Sequence, residues 1–393
     1  MKPADVLRRG QHLVVDGQEQ AATAPAHDER TAAILGAALG VCFLTCFLTG
    51  LISHEIQHPA TWFHWPARPA GLYRFTQGLH VATGLASIPL LLAKLWSVFP
   101  HLVKWPPFRS AAHAVERLML LPLVCGSAFM LFTGMANIAH WYPWHFSFTR
   151  THYAIAWVTM GAMLAHIGAK FAITRRELLP GGRITPARTA ADGVLSRRAY
   201  LGWTAAAVGL VTVTTIGQTV RPLRRLGLFA PRRPDDGPQG LPVNGVPSAQ
   251  VVAAGASAAY RFTVKGDVAT PLSLTIDQLR ALPRRAASLP ITCVEGWSAQ
   301  ADWEGVAVHQ LLTAAGVPDD AHVEVRVESF QQGAYQFSML SDDQARDRDA
   351  LIALELNGEV LHPHHGYPAR LIAPNRPGVQ QTKWVEGITV TVS

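Results

Sequence analysis

The chain has 393 residues, of which 49% are hydrophobic and only 16% are charged. Soluble proteins carry about 25% charged residues, so this composition indicates a membrane protein, and the length allows more than one domain. The net charge is +7, but the basic residues flank apolar segments and form no basic patch with interleaved aromatic residues. We therefore expect membrane lipid, and not nucleic acid, as a partner.

Five apolar segments follow a polar start. Residues 1–30 mix charged residues with Ala and Gln, which predicts a short tail without regular structure. Residues 31–175 hold four apolar segments and residues 199–220 a fifth, and each reaches the about 20 residues that a helix needs to cross a bilayer. The sequence thus predicts an N-terminal all-α transmembrane bundle of four helices and a fifth anchor helix. The predicted spans are 31–53, 76–98, 114–138, 151–173 and 200–220.

Lys and Arg indicate the sidedness of these spans. They are concentrated in the 1–30 tail and in the connection 176–198, whereas the loop after the third span holds only Arg150. By the positive-inside rule the N-terminus is cytoplasmic, and five crossings place the rest of the chain outside. We therefore expect a multi-pass protein of the cell membrane with an extracytoplasmic C-terminal domain.

Beyond the last span the composition changes. Residues 221–250 are rich in Pro, Gly and Arg, which predicts a linker or a strap along a domain surface. Residues 251–393 alternate strand-like and helix-like stretches, a mixture that predicts an α+β domain. Strands are predicted near 260–264, 272–275, 322–327 and 388–392, and helices near 276–282 and 308–315.

Cys293 is the only one of the four cysteines outside the long apolar segments. A thiolate is a soft ligand of the kind that a redox metal needs, although a lone cysteine that ends an apolar run can also be an inert buried thiol. Several short motifs surround it or follow it. They are Cys293-Val294-Glu295-Gly296-Trp297, Trp303-Glu304-Gly305, Asn357-Gly358-Glu359, the run 365–374 and Lys383-Trp384.

These motifs resemble the molybdopterin-binding domain of the sulfite oxidase family, and most closely the catalytic subunit of periplasmic methionine sulfoxide reductases. The resemblance implies a molybdenum-molybdopterin cofactor with Cys293 as the protein ligand of the metal, and it gives Glu295 a role in catalytic proton transfer. The cofactor-binding residues that it implies are Cys293, His365, Gly366, Arg370, Gly378 and Lys383. Without the resemblance, Glu295, Arg370 and Lys383 would be ordinary surface charges.

Histidines within the predicted spans indicate a second cofactor, because ionisable residues in a membrane are costly. His152 and His166 lie 14 residues apart in the sequence, which places them on nearly the same helix face, about 21 Å apart. This spacing resembles the b-type cytochrome subunits of formate dehydrogenases and nickel-iron hydrogenases. His80 lies at about the depth of His152, so we predict that this pair binds one haem b. The alternative is that the histidines form hydrogen bonds between helices.

A second haem stays open. The positions where that cytochrome family keeps the other ligands fall near Gly36 and at Lys94, so His166 has no obvious partner. His101 or His113 could serve as that partner. His54 and His140 are alternatives to His80.

Residues 196–201, Ser-Arg-Arg-Ala-Tyr-Leu, precede the fifth span and resemble the twin-arginine export signal. Molybdopterin enzymes receive their cofactor in the cytoplasm and are exported folded, so such a signal suits this position. Ordinary positive-inside charge is the alternative explanation.

The predicted function is that of a membrane-bound molybdopterin-dependent oxidoreductase on the outer face, which exchanges electrons with the quinone pool or another membrane electron carrier through haem b. A small-molecule or protein sulfoxide is the preferred substrate, because the nearest family members reduce methionine sulfoxide. Sulfite-type oxidation, with electrons passed inward, is the second possibility. A protein of another class is the third: a membrane-anchored binding or electron-carrier protein whose outer domain has lost its metal.

Overall fold

The computed structural model describes residues 25–102, 110–179, 195–243, 245–333 and 336–392. The chain divides into two compact units. One comprises Met1–Gly50 and Leu79–Thr215, and the other comprises Leu51–Gly78 and Ile216–Ser393. The loop between the first two long helices, with the adjoining turns of both, therefore belongs to the same unit as the C-terminal region. The domain boundaries drawn from the sequence stay a prediction.

Five long helices account for the predicted spans, and each is long and apolar enough to cross a membrane. Their large apolar side chains point outward as well as inward, as in Leu92, Leu118 and Phe171, which are all more than half exposed. A helix that is apolar all around needs an apolar surrounding, which here is lipid. The bounds are α1 Glu29–Gln57, α2 Leu72–Leu102, α3 Ala111–Ile138, α4 Phe148–Leu178 and α5 Arg197–Thr215.

The C-terminal region is an α+β domain, as the sequence predicted. Its four short helices are α6 Ala249–Ala256, α7 Ile276–Ala281, α8 Val308–Ala314 and α9 Asp342–Ala345. Its ten strands are β1 Phe262–Gly266, β2 Leu272–Leu274, β3 Arg285–Thr292, β4 Ser298–Ala307, β5 Val323–Ser329, β6 Phe337–Leu340, β7 Leu351–Leu356, β8 Glu359–Val360, β9 Arg370–Ile372 and β10 Val385–Val392.

The strands form two five-stranded sheets. The first has the order β2-β1-β10-β5-β6, in which β1 and β10 are parallel and the other pairs antiparallel. The second has the order β3-β4-β7-β8, with β9 also paired to β7. Because β1 and β10 lie at opposite ends of the domain sequence, their pairing joins its two ends in one sheet.

Two groups of buried side chains form the core. One group lies around Phe262, Leu311 and Val325 and packs β1, β5 and β10 against α8. The other contains Trp303 and Cys293 and lies on the second sheet. The cysteine is therefore built into the edge of a core, where close packing restricts its position.

Residues 216–243, which overlap the predicted linker or strap 221–250 and are called the strap below, belong to the same compact unit as the C-terminal domain. Within the strap, the Gln239 side-chain amide donates to the Leu356 carbonyl at 3.2 Å and to the Val360 carbonyl at 3.1 Å. Its side-chain oxygen accepts from the His362 backbone N–H at 2.8 Å. These hydrogen bonds hold the strap beside the segment that leads into His365.

Candidate functional site

Cys293 begins the loop of a β-hairpin. Strands β3 and β4 pair up to Thr292 and Ser298, so residues 293–297 form the connection. The Cys293 backbone N–H donates to the Trp297 carbonyl at 2.9 Å, and the Gly296 N–H donates to the Cys293 carbonyl at 3.0 Å. Gly296 has φ 85°, a left-handed conformation that glycine adopts without steric cost. This tight connection, which we call the Cys293 loop, fixes the direction of the thiol, and Cys293 is only 3% exposed.

The sulfur has a backbone donor within its own loop. The Glu295 N–H points to Cys293 Sγ at 3.4 Å. An N–H donor favours the anionic form of sulfur, which is the form that binds a metal. A β-carbon built on Gly378 would lie 3.7 Å from Cys293 Cα. The backbone around Gly378 therefore packs directly against the Cys293 loop, as the predicted pairing of these two residues in one site requires.

Glu295 is buried beside the cysteine. Its Oε2 atom lies 3.6 Å from Nη2 of Arg232, an arginine of the strap that the sequence motifs did not identify. The strap thus supplies a cation beside this buried carboxylate, an acid–base group of the kind that can exchange a proton with a substrate. The burial removes the alternative that Glu295 is an ordinary surface carboxylate.

His365 lies in a short 3-10 turn, Pro363–His365, and is 1% exposed. Its Nε2 lies 2.8 Å from the Pro238 carbonyl, and since a carbonyl only accepts, this nitrogen carries the proton. Burial lowers the pKa of His365 to about 4, so the imidazole is neutral at pH 7. The next residue, Gly366, has φ 110°, and a β-carbon there would lie 3.0 Å from Arg370 Cβ. Any other residue at this position would push the two apart.

Arg370 is fully buried on β9. Its Nη1 donates to the His365 carbonyl at 3.1 Å and its Nη2 to the Gln381 carbonyl at 3.3 Å. The guanidinium carbon lies 5.0 Å from the centre of the Trp303 ring, and within the described residues the buried Nε of Arg370 has no hydrogen-bond partner. Burial lowers the pKa of Arg370 to about 9, so the group is still charged at pH 7.

Lys383 is the second cation beside the His364–His365 turn, and we call Arg370 and Lys383 together the cationic group. Its Nζ donates to the His364 carbonyl at 2.8 Å. Burial, and then the nearby Arg370, lower the pKa of Lys383 to about 7, while the charge of a Cys293 thiolate opposes that shift. The structure thus brings the predicted residues His365, Gly366, Arg370 and Lys383 together, and it places the lysine within electrostatic range of the cysteine.

Arg376 is a buried cation that the sequence motifs did not reveal. It is 5% exposed, its Nη1 donates to Gln344 Oε1, and its Nε has no hydrogen-bond partner in the described part of the chain. Asp343 is close enough to Arg376 to interact with it electrostatically, whereas Arg370 takes part in no ion pair among the described residues. The position of Arg376 two residues before Gly378 is the only sequence signal that could have identified it.

This set of donors fits a phosphorylated pterin cofactor that carries molybdenum. Charges inside proteins are normally paired, and an unpartnered buried N–H costs about 1–3 kcal/mol. Anionic phosphate oxygens would supply the partner that the buried Nε of Arg370 lacks among the described residues. Cys293 offers the thiolate that the metal would require from the protein. The neighbouring glycines, Gly366 and Gly378, leave room for close backbone approach.

The helical unit holds the second set of predicted ligands. His80 Nδ1 lies 2.9 Å from the Cys46 carbonyl and 3.1 Å from Thr49 Oγ1. His152 Nδ1 lies 3.0 Å from Thr133 Oγ1. With Nδ1 engaged, Nε2 is the nitrogen available to a metal, and within the described chain neither Nε2 has a hydrogen-bond partner.

The two imidazoles share one mode of support. Each packs against a Thr-Gly pair on the preceding helix: a β-carbon on Gly50 would lie 3.3 Å from His80 Cε1, and one on Gly134 would lie 3.9 Å from His152 Cε1. The two histidines are also close enough to interact electrostatically. This repeated Thr-Gly support fixes the orientation of both imidazoles, so the two histidines could hold one metal group.

The predicted second haem position looks different. Lys94 Nζ donates to the Ala32 carbonyl at 2.6 Å, and a β-carbon on Gly36 would lie 3.5 Å from that nitrogen. An amine therefore stands where the two-haem pattern has imidazoles. His166 is half-buried on α4. Of the alternatives to His80, the His54 ring contacts His58 and the His140 ring contacts Tyr142. Of the alternative partners of His166, the His101 carbonyl accepts from Arg117, and the His113 side chain lies outside the described residues.

Comparisons with known proteins found one family model and several relatives. Residues 247–393 match the family model of the oxidoreductase molybdopterin binding domain. A protein-methionine-sulfoxide reductase subunit of Azospira oryzae is 28% identical over 137 residues, which cover 35% of this chain and 51% of that protein. The sulfite oxidase of Arabidopsis thaliana is 28% identical over 163 residues, which cover 33% of this chain and 42% of that protein.

An oxidoreductase of Bacillus subtilis is 31% identical over 134 residues, which cover 34% of this chain and 65% of that protein. In each comparison the match spans less than two thirds of the relative. The matched segment 247–393 contains Cys293, Glu295 and the whole buried cationic group. The C-terminal part of this chain is therefore a molybdopterin-binding oxidoreductase domain of the sulfite oxidase type.

Proposed function

We propose that this protein is a membrane-bound molybdopterin-dependent oxidoreductase that reduces a sulfoxide or a similar oxo substrate. The observation that carries the proposal is that Cys293 and the buried Arg370, which takes part in no ion pair among the described residues, both lie in a segment that matches a molybdopterin-binding domain. The similarity to a protein-methionine-sulfoxide reductase subunit supports the choice of substrate class.

The bound molybdenum-molybdopterin would supply two-electron redox chemistry and the transfer of an oxygen atom. The residues of this chain bind it and handle the proton. Cys293 would give the metal its protein thiolate, and Arg370 and Lys383 would hold the cofactor phosphate. The His365 carbonyl accepts from Arg370 Nη1 and would position that guanidinium. Reduction of a sulfoxide to a sulfide and water consumes two electrons and two protons. Glu295, held beside Arg232, would deliver a proton at the site.

Electrons would come from the membrane through haem b. His80 and His152, with their Nδ1 atoms held by Thr49 and Thr133, support one haem in the helical unit. Lys94 beside Gly36 favours a single haem over two. The quinone pool, or another membrane electron carrier, is the proposed donor.

We also propose that the molybdopterin domain lies on the outer face of the cell membrane and the N-terminus in the cytoplasm. The uneven distribution of Lys and Arg between the connections supports this orientation. The twin-arginine pair at the start of α5 would then direct export of the loaded domain. In the structure Arg197 Nη1 lies 3.0 Å from Asp28 Oδ2. Both side chains are partly exposed, so the ion pair is weak and an export factor could displace Asp28 from the arginine.

Sulfite-type oxidation is the second candidate. The 28% identity to a plant sulfite oxidase favours it, and it would send electrons in the opposite direction. The two candidates share the same metal site and differ in substrate and in electron flow.

Metal analysis and an activity panel test the proposal. Purified protein should contain molybdenum, Cys293→Ser should lose most of it, and Cys125→Ser, a change on α3, should keep it. Reduced viologen should be oxidised in the presence of methionine sulfoxide or related sulfoxides. Activity with sulfite and an artificial acceptor, but not with sulfoxides, would favour the second candidate. No molybdenum in the wild type, or an undiminished content in Cys293→Ser, would refute the proposal.

A further inference from the structure

The segment Leu51–Gly78 packs within the same compact unit as the molybdopterin domain. Asn375, directly after the motif 365–374, is the centre of the contact. Its Nδ2 donates to the Pro66 carbonyl at 2.6 Å, and its Oδ1 accepts from the Tyr73 backbone N–H at 2.6 Å. Its own carbonyl accepts from Trp65 Nε1 at 2.8 Å. One asparagine thus holds the second half of the connection between the first two long helices and the start of α2.

The same segment contacts the Cys293 loop. Gln77, buried on α2, donates from Nε2 to the Val294 carbonyl at 3.3 Å. Val294 lies between the predicted metal ligand and the predicted proton carrier. On the other side of the loop, Thr219 Oγ1 donates to the Gly296 carbonyl. Both donors lie outside residues 247–393, so the isolated domain sequence does not supply them.

Two further contacts reach the immediate surroundings of the cysteine. Tyr73 is fully buried, its hydroxyl lies 3.3 Å from Ser53 Oγ, and it is close enough to Cys293 to interact electrostatically. Gln380 ends the turn that begins at Gly378 and backs onto Cys293, and its Nε2 donates to the Ile56 carbonyl at 2.7 Å. The 51–78 segment therefore meets the site through the Cys293 loop, through the turn behind it and through a buried phenol.

We propose that the 51–78 segment is a built part of the molybdenum site, in which Gln77 is a positioning residue that holds the Cys293 loop through the Val294 carbonyl. The inference rests on the proposed function, because it assumes that Cys293 binds the metal. A hydrogen bond to this carbonyl restricts the peptide between Val294 and Glu295, and therefore the orientation of the sulfur and the carboxylate on either side. The molybdopterin domain then depends on the membrane part of its own chain for the geometry of its site.

The test uses the full-length protein and the variant Gln77→Leu, which keeps the size of the side chain and removes the donor. Arg74→Ala is the matched control. It lies one turn away on α2 and donates from Nη1 to Gln300 Oε1 at 3.2 Å, a contact to strand β4 and not to the Cys293 loop. Hydrogen exchange of the backbone amides at 293–297 gives a readout that does not depend on activity.

We expect Gln77→Leu to speed exchange of these amides about fivefold, which is the effect of losing one ordinary hydrogen bond, and Arg74→Ala to leave it unchanged. In protein that retains molybdenum, the electron paramagnetic resonance signal of Mo(V) should shift in Gln77→Leu and stay at the wild-type position in Arg74→Ala. If Gln77→Leu does not fold, Asn375→Gly replaces it. Glycine keeps the left-handed φ of 58° at this position while it removes both side-chain contacts to the segment.

Unchanged exchange and an unchanged Mo(V) signal in these variants would overturn the inference while leaving the proposed function intact. Equal changes in Gln77→Leu and Arg74→Ala would also overturn it, since they would indicate general loosening of the helix. A wild-type protein without molybdenum would refute the proposed function, and the exchange measurement would still decide whether Gln77 holds the loop.

Discussion

Replacing Arg370 by methionine should weaken cofactor retention while leaving the stability of the cofactor-free protein nearly unchanged. The guanidinium is fully buried, lacks a carboxylate partner among the described residues and keeps its charge at pH 7. Burial lowers its pKa from 12.5 to about 9, which corresponds to about 5 kcal/mol for holding the charge inside the fold. Because the folded-state pKa is the lower one, the charge destabilises the cofactor-free fold at every pH below about 9.

The variant also loses two hydrogen bonds, from Nη1 to the His365 carbonyl and from Nη2 to the Gln381 carbonyl. Hydrogen bonds from a charged donor contribute about 1.5–3 kcal/mol each, or about 3–6 kcal/mol for the two. The relief of about 5 kcal/mol is of the same size as this loss, so cofactor-free Arg370→Met should be about as stable as the wild type. The loaded protein loses a buried charge contact to phosphate worth about 2–5 kcal/mol, so retention of the cofactor should weaken at least about 30-fold.

Denaturant unfolding of protein made without cofactor synthesis measures the first effect, and molybdenum and pterin content after dialysis measure the second. Arg326→Met is the matched control, since Arg326 is a half-exposed arginine on β5 that pairs with Glu328. Its cofactor content should equal that of the wild type. A cofactor-free Arg370→Met protein that is several kcal/mol less stable than wild type, yet keeps its cofactor, would refute the reasoning and make Arg370 a purely structural residue.

Three further predictions concern other residues of the two sites. Glu295→Gln should keep the molybdenum content but lower kcat about 100-fold, because the amide cannot carry the proton. Steady-state kinetics with reduced viologen measure kcat, and an unchanged kcat would exclude the proton-transfer role. His80→Ala and His152→Ala should each abolish the b-type absorption bands of the purified protein, whereas His166→Ala should keep them. If the bands survive in both His80→Ala and His152→Ala, these two histidines are not the haem ligands. Lys383 must be protonated to bind a phosphate, and its pKa is lowered to about 7, so cofactor affinity should fall up to tenfold per pH unit above about 7. The variant Lys383→Met should lack this pH dependence. Dialysis at a series of pH values, followed by pterin analysis, measures the affinity of both proteins.

The helices and the nature of the C-terminal domain could be predicted because their signals are local. An apolar run of sufficient length specifies a membrane helix wherever it occurs, and the predicted spans correspond to five long helices. The strands near 260–264 and 388–392 are found as Phe262–Gly266 and Val385–Val392. Their parallel pairing could not be predicted, since it joins residues more than 100 positions apart and leaves no local pattern.

The candidate site divides in the same way. The motifs identified Cys293, Glu295 and the residues from His365 to Lys383, because each motif is a short run of characteristic residues. Arg376 and Arg232 were missed, since a single arginine in a polar stretch has no signal of its own. Their importance comes from burial and from the groups that face them, which only folding decides.

By itself the sequence determined that this chain is a set of apolar helices followed by an α+β domain with one cysteine suited to a redox metal. Only the tertiary structure decided what surrounds that cysteine. The contact from Gln77 to Val294 joins residues more than 200 positions apart, and the Thr-Gly supports of His80 and His152 join separate helices. Such contacts are fixed by how the elements pack and not by the order of neighbouring residues, so no periodicity or motif along the chain can reveal them.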